Sequence, residues 1–312
     1  MTGYIIRRVL WMIPLLWAVA TITFFLMHAV PGGPFDTEKV LPPTVLANLN
    51  AKYGLDDPVI SLDVWNSQYG KFFGHLAQGD LGLSFRTNQP VTELLKDGIK
   101  VTAQLGLVAF AFAIIFGMSL GVLAALNQNK LGDYLSVFFA TLGTAMPSFV
   151  IATFLVVIFS VQLGWFDVLG WEFGNYRKMV LPVVALGTLP GAYIARITRA
   201  SMLEVLGQDY IRTARSKGLA EYVVVLRHTL KNAMIPILTV AGPIFANLVT
   251  GSFIVEYVFS IPGVGRGFVT AVFNRDYGMI MGTVLFYALI IATANLIVDL
   301  LYAVVDPRIR YR

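Results

Sequence analysis

Six stretches of this chain carry no Asp, Glu, Lys or Arg: residues 9–30, 101–126, 134–166, 179–195, 233–255 and 277–298. A bilayer core takes about 20 apolar residues per helix, so these runs dictate a membrane protein before any motif is considered. Only 13% of the 312 residues are charged, against about 25% in a soluble domain. A transmembrane barrel would show alternating segments of about ten residues instead. The chain is therefore expected to be an all-α membrane protein with six transmembrane helices. The fourth run is short at 17 residues and the third long at 33. The long run must tilt, kink or extend past the bilayer, with Pro147 the expected kink. The first run is expected to be a retained helix, because its apolar core exceeds the 7–15 residues of a leader and no small-x-small site closes it.

Basic residues near short loops set the orientation. With the N-terminus inside, the cytoplasmic set is Arg7, Arg8, Lys130, Arg196, Arg199, Arg212, Arg215, Lys217, Arg227, Lys231, Arg308, Arg310 and Arg312, or 13 of the 23 basic residues. The two short outer loops hold only Arg177, Lys178, Arg266 and Arg275. Both termini are thus expected in the cytoplasm. The net charge of +5 is a topology signal rather than one for nucleic acid. Three divisions follow: residues 1–30 as N-terminus and first span, 31–100 as a large outer loop, and 101–312 as a core with five spans.

The outer loop reads as two short surface helices. In "LPPTVLANLNAKYGLDDP", Val45, Leu46, Leu49 and Tyr53 fall at helical spacing and Gly54 suits the end. Leu62, Trp65, Tyr69, Phe72, Phe73 and Leu76 form the apolar face of the second. These helices are either a lid packed on the bundle or a docking surface for an external partner. Pro42, Leu46, Leu49, Tyr53, Trp65 and Tyr69 are the candidate contacts. Within the spans, Gly117 and Gly121 give the small-xxx-small spacing of closely packed helices. Pro147, Pro182, Pro190, Pro236 and Pro243 interrupt or flank apolar runs, which favours a bundle that moves around a pathway.

Several chemistries lack their residues. There is no phosphate-binding G-x-x-x-x-G-K-[ST] loop, no G-x-S-x-G and no H-E-x-x-H. The Gly-rich "IPGVGRGF" follows no strand. His28, His75 and His228 are too scattered for a metal cluster, and there is no cysteine. His28, Arg196, Arg199, Glu256 and Asp299 sit near span ends, where they can snorkel or pair at an interface. No buried acidic or basic series suggests a proton relay. Uphill transport would need another subunit to supply the energy.

"DYIRTARSKGL", residues 209–219, is the most basic compact segment between two spans. Asp209 can cap its start, Gly218 suits its end and Lys217 complements the dipole. Tyr210, Ile211 and Ala214 make a small apolar face, with Arg212, Arg215 and Lys217 projecting elsewhere. "EYVVVLRHTLKNAMIP" continues as a helix into the fifth span. Such a knob either inserts into a groove on a cytosolic partner or rests on anionic headgroups.

This loop resembles the coupling segment of permease subunits of bacterial ABC importers, in the oligopeptide/dipeptide/nickel branch. The generic family pattern is Glu-Ala-Ala, three residues, then Gly. Ala214 and Gly218 match it, while Arg212 and Thr213 replace the Glu and first Ala, as is usual in the peptide branch. The resemblance extends through "IIRRVLWMIPLL", "VPGGPF", "MPSF", "ITRASMLEVL", "RHTLKNAMIPIL", "IPGVG", "NRDY" and "DPRIRY". The outer loop and ending are most like the B-type chain of oligopeptide importers.

The resemblance implies the type I ABC importer permease fold, in the bacterial inner membrane. It implies a second, similar permease, two ABC ATPase subunits that carry ATP and Mg, and an extracytoplasmic peptide-binding protein. It gives this chain no cofactor and no catalytic residue of its own. Residues Asp209, Tyr210, Ile211, Arg212, Thr213, Ala214, Arg215, Ser216, Lys217, Gly218 and Leu219 become the ATPase-coupling helix. The solute is an oligopeptide or, within the same family, a dipeptide, nickel complex or other small solute. A secondary transporter or channel would need intramembrane charges or inverted repeats, and an intramembrane enzyme a nucleophile or metal ligands.

Overall fold

The computed structural model describes residues 2–35 and 42–305, with side chains described for 5–35 and 42–297. The "DPRIRY" ending lies outside the described residues. Helices dominate, and the extended structure found among the described residues is one isolated bridge, Leu83 to Pro90. Five helices there are long and apolar enough to span a bilayer: Ile5–Ala29, Val91–Leu126, Tyr176–Leu206, Glu221–Val258 and Tyr277–Ile297. A sixth crossing is formed if Leu131–Ala145 and Ser148–Gln162, which meet at 108°, are one broken span. The expected tilted or kinked third span is therefore a sharp break. Pro147 lacks the amide a continuous helix would need and disfavours helical geometry at Met146, which is extended (φ −98°, ψ 126°).

The other four prolines behave differently. Pro182 and Pro190 lie inside one continuous helix, and Pro236 and Pro243 inside another. The 17-residue fourth run is correspondingly the middle of a 31-residue helix that continues through Arg196 and Arg199. Widened π-helical turns occur instead at Val156–Gln162 and Val224–Leu230, away from the prolines.

The chain packs as two compact units. The first comprises the chain up to Lys100 together with Pro262–Ile297. It contains α1 (Thr2–Ala29), α2 (Pro43–Tyr53), α3 (Gln68–Ala77), the first residues of α4 (Val91–Leu126), α12 (Val264–Phe273) and most of α13 (Tyr277–Val305). Its core gathers Ala20, Phe24 and Met27 of α1, Val91 and Leu95 of α4, and Met281 and Leu285 of α13. A buried carboxylate ties its loops together. Asp276 accepts hydrogen bonds from Ser84 Oγ (2.5 Å) and from the Phe85 (2.9 Å) and Met279 (3.2 Å) amides.

The second unit spans Val101–Ile261. It holds the rest of α4, α5 (Leu131–Ala145), α6 (Ser148–Leu155), α7 (Tyr176–Leu206), α8 (Asp209–Ser216), α9 (Glu221–Val223), α10 (Lys231–Thr250) and α11 (Phe253–Val258). α4 and α7 cross closely because both present glycines four residues apart. A Cβ at Gly117 would overlap the Gly191 carbonyl, and one at Gly121 would lie 2.6 Å from that of Ala195. On the other helix, a Cβ at Gly187 would lie 2.8 Å from the Ala109 carbonyl. Backbone contact of this kind is what holds helices together in lipid, where apolar side chains gain little from leaving their solvent.

Candidate functional site

The segment 209–219 folds as α8 and its cap, between the end of α7 and the start of α9. Asp209 is the first helical residue rather than the cap. Gln208 takes the cap position without a side-chain bond, and the Asp209 carboxylate is exposed, 3.5 Å from Arg212. The C-terminal end follows the expectation closely. Gly218 is left-handed (φ +76°), its amide bonds the Arg215 carbonyl at 2.9 Å, and the Leu219 amide returns to Ala214 at 3.4 Å. This double bond pattern closes the helix and needs a residue that tolerates positive φ.

The apolar face of α8 is turned inward. Ile211 is fully buried and Ala214 nearly so, packed with Val224 and Val205. Burying the isoleucine contributes about 1.5–3 kcal/mol, enough to seat two turns that could not persist alone in water. That face is already occupied within the chain, so a knob offering apolar surface to a groove is not what the structure presents. Outward stand Tyr210, Arg212, Thr213, Arg215, Ser216, Lys217, Gly218 and Leu219. Tyr210 Oη also accepts a 2.9 Å bond from Asn232 Nδ2 at the start of α10.

Arg215 is not a loose rim charge. Its Nε and a terminal nitrogen donate to the Glu221 carboxylate at 3.2 and 2.6 Å. The hydrogen-bonded carboxylate pushes the guanidinium pKa further above its ordinary value. This pair fastens α8 to α9 across the Gly218 turn.

Behind α8 stands a second ion pair that sequence reading missed. Asp133, 3% exposed, accepts from Arg199 Nε at 2.7 Å and a terminal nitrogen at 2.8 Å. It also accepts from the Asn129 amide at 3.0 Å. The pair links the α5 start to α7, seven residues before α7 ends at Leu206. Asp133 directly precedes an apolar run, so its charge looked like a loop residue; only the fold puts Arg199 opposite it. Glu256, expected near an interface, is fully buried and accepts from Thr102 Oγ1 at 3.0 Å.

The outer-loop candidates lie in the first unit. α2 forms as read, closed by left-handed Gly54 (φ +66°). Pro42 is exposed, and Leu46, Leu49 and Tyr53 are half-buried. Tyr53 stacks near Phe35 and Phe85 and donates to Asn88 Oδ1 at 3.2 Å. The second amphipathic face is split. Ser67 caps α3 by accepting from the Gly70 amide, leaving Trp65 in a preceding 3-10 turn. Tyr69, Phe72, Phe73 and Leu76 pack on the first-unit core, with Tyr69 Oη 2.9 Å from Thr21 Oγ1. Trp65 is 71% exposed and Leu62 wholly so. Tyr69 is thus a core contact, whereas Trp65 is free surface. No group of three or more His, Asp or Glu capable of holding a metal occurs among the described residues.

The geometry can be set beside known proteins. Residues 117–311 match the model for the binding-protein-dependent transport system inner membrane component, and residues 1–106 match the model for its N-terminal region. The chain is 43% identical, over the whole of both chains, to the oligopeptide transport system permease protein OppB of Haemophilus influenzae. It is 42% identical to the dipeptide transport system permease protein DppB of Bacillus subtilis, covering 99% of this chain and 98% of that one. A chain from the inward-facing MetNI methionine ABC transporter superposes with a TM-score of 0.56 at 17% identity, covering 69% of this chain and 97% of that one. The fold is that of type I ABC importer permeases. On these matches, and on its broken and glycine-packed spans, the chain belongs to the inner-membrane permease components of binding-protein-dependent transport systems.

Proposed function

We propose that the chain is one of two permease subunits of an importer that takes up oligopeptides, driven by ATP hydrolysis on two separate ATPase subunits. The substrate rests on full-length similarity to an oligopeptide permease. The equally full-length similarity to a dipeptide permease keeps shorter peptides as a second reading. ATP and Mg belong to the partner subunits, and an extracytoplasmic binding protein delivers the peptide.

The observation that carries the coupling role is the seating of α8. Its buried face and the Arg215–Glu221 pair bind it to the ends of α7 and α9, so it cannot shift without displacing the helices on either side. Its outward face is polar and basic. A nucleotide-driven movement of a subunit gripping that face would be carried into α7 and into the π-helical Val224–Leu230, and so into the spans. Rigid-body motion of this kind is a standard route to alternating access. On the outer side, residues 31–100 would receive the binding protein, through Pro42, Leu46, Leu49 and exposed Trp65 rather than through packed Tyr69.

The test is gentle purification of the tagged chain from its native membrane. A second permease and two nucleotide-binding subunits in fixed stoichiometry are expected, with peptide-stimulated ATPase activity. Recovery as a homo-oligomer without an ATPase would overturn the reading.

A further inference from the structure

A cleft of about 600 Å³ opens between α1 and α13, lined by Arg7, Arg8, Trp11, Leu15, Ala292 and Asn295 among others. Both helices contribute from the same compact unit. The transport reading makes no use of this cleft. Its chemistry changes along α1 from two guanidinium-bearing residues to Leu15, a rise of about 12 Å at 1.5 Å per residue. Trp11 is 69% exposed and Leu15 49%, so this end of α1 is not covered by the chain's own core, which begins at Ala20.

A ligand for such a cleft must be anionic at one end and apolar at the other. Adjacent arginines suit a phosphate, which a guanidinium meets with two parallel N–H bonds. Each guanidinium has five donors, so contacts within the protein leave capacity for a phosphate. Trp11 is the residue type enriched at headgroup depth. Leu15 and Ala292 offer a floor to hydrocarbon, and Asn295 a further polar group. A free phosphate would use the arginines and leave the floor wet.

We propose that this cleft is a binding site for an anionic glycerophospholipid. The phosphate is held by Arg7 and Arg8, and an acyl chain lies on Leu15 and Ala292. Basic pockets between transmembrane helices on the cytoplasmic side bind headgroups of this class. A zwitterionic lipid would bring its ammonium towards the arginines and bind less well.

The test reads lipid retention by native mass spectrometry. The full chain, with any subunits that accompany it, is reconstituted in phosphatidylcholine nanodiscs doped with cardiolipin, then released into detergent. Cardiolipin should be retained over phosphatidylcholine by about 30-fold, the ratio two arginines near a headgroup supply. Arg7→Gln with Arg8→Gln should erase that preference. Ala292→Phe, which fills the cleft and leaves both arginines, should also erase it, and remains decisive if the arginine variant fails to insert. Lys100→Gln, an exposed charge removed elsewhere, should change nothing. Full retention in Ala292→Phe would reduce the effect to diffuse attraction and overturn the site. Displacement of the lipid by millimolar inorganic phosphate would assign a simple anion site and overturn it equally.

Discussion

Two short helical regions lie between spans, and they use their apolar residues in contrary ways. α8 buries Ile211 and Ala214 against its own chain and shows a polar face. The stretch before α3 leaves Leu62 and Trp65 exposed, while α2 has no buried residue at all. Both α2 and α8 end in left-handed glycine, so helix formation does not separate them. Burial does. A helix locked into its neighbours transmits displacement; apolar side chains left in water gain by being covered by something else.

The largest expected effect probes the locked side. Ile211→Asp places an unpaired carboxylate in a fully buried position, and a cost above about 4 kcal/mol is expected. The measurement is ATPase subunit recovered per permease, with full loss predicted while membrane insertion persists. Normal recovery would show that α8 does not depend on its seat. A smaller effect is expected for Arg215→Gln. Both partners of this pair are substantially exposed, so about 0.2–1 kcal/mol is at stake, and salt should weaken it. Thermal unfolding at low and high salt checks this, and Glu221→Gln should be no worse when combined with Arg215→Gln than alone. The smallest stability change is expected for Leu62→Ser with Trp65→Ser, within about 0.5 kcal/mol. Binding-protein-stimulated ATPase activity should nevertheless fall. Unaltered stimulation would leave that apolar surface without a partner and break the comparison.

Some of this was legible from residues alone. The spacing of Val45, Leu46, Leu49 and Tyr53 before Gly54, and of Ile211 and Ala214 before Gly218, defined α2 and α8, because capping and 3.6-residue periodicity are local. The face on which Ile211 sits was legible too. Its occupant was not, since Val205 and Val224 approach only when α7 and α9 fold back. Pro147 was a recognisable break. Its 108° turn, and the passage of α7 through Pro182 and Pro190, were not legible: neighbours that accommodate a lost backbone bond are distant in sequence.

By itself the sequence determined that this is a helical membrane protein with glycine-packed spans and a basic helix between two of them. Hydropathy runs, charge placement and caps are properties of adjacent residues, and water and lipid act on them directly. The tertiary structure alone decided which charges are buried and paired. Asp133 lies 66 positions from Arg199 and Thr102 154 from Glu256, and removal from water makes a partner obligatory at such sites. It also decided that α8 turns its apolar side inward, leaving polar groups to meet whatever drives it.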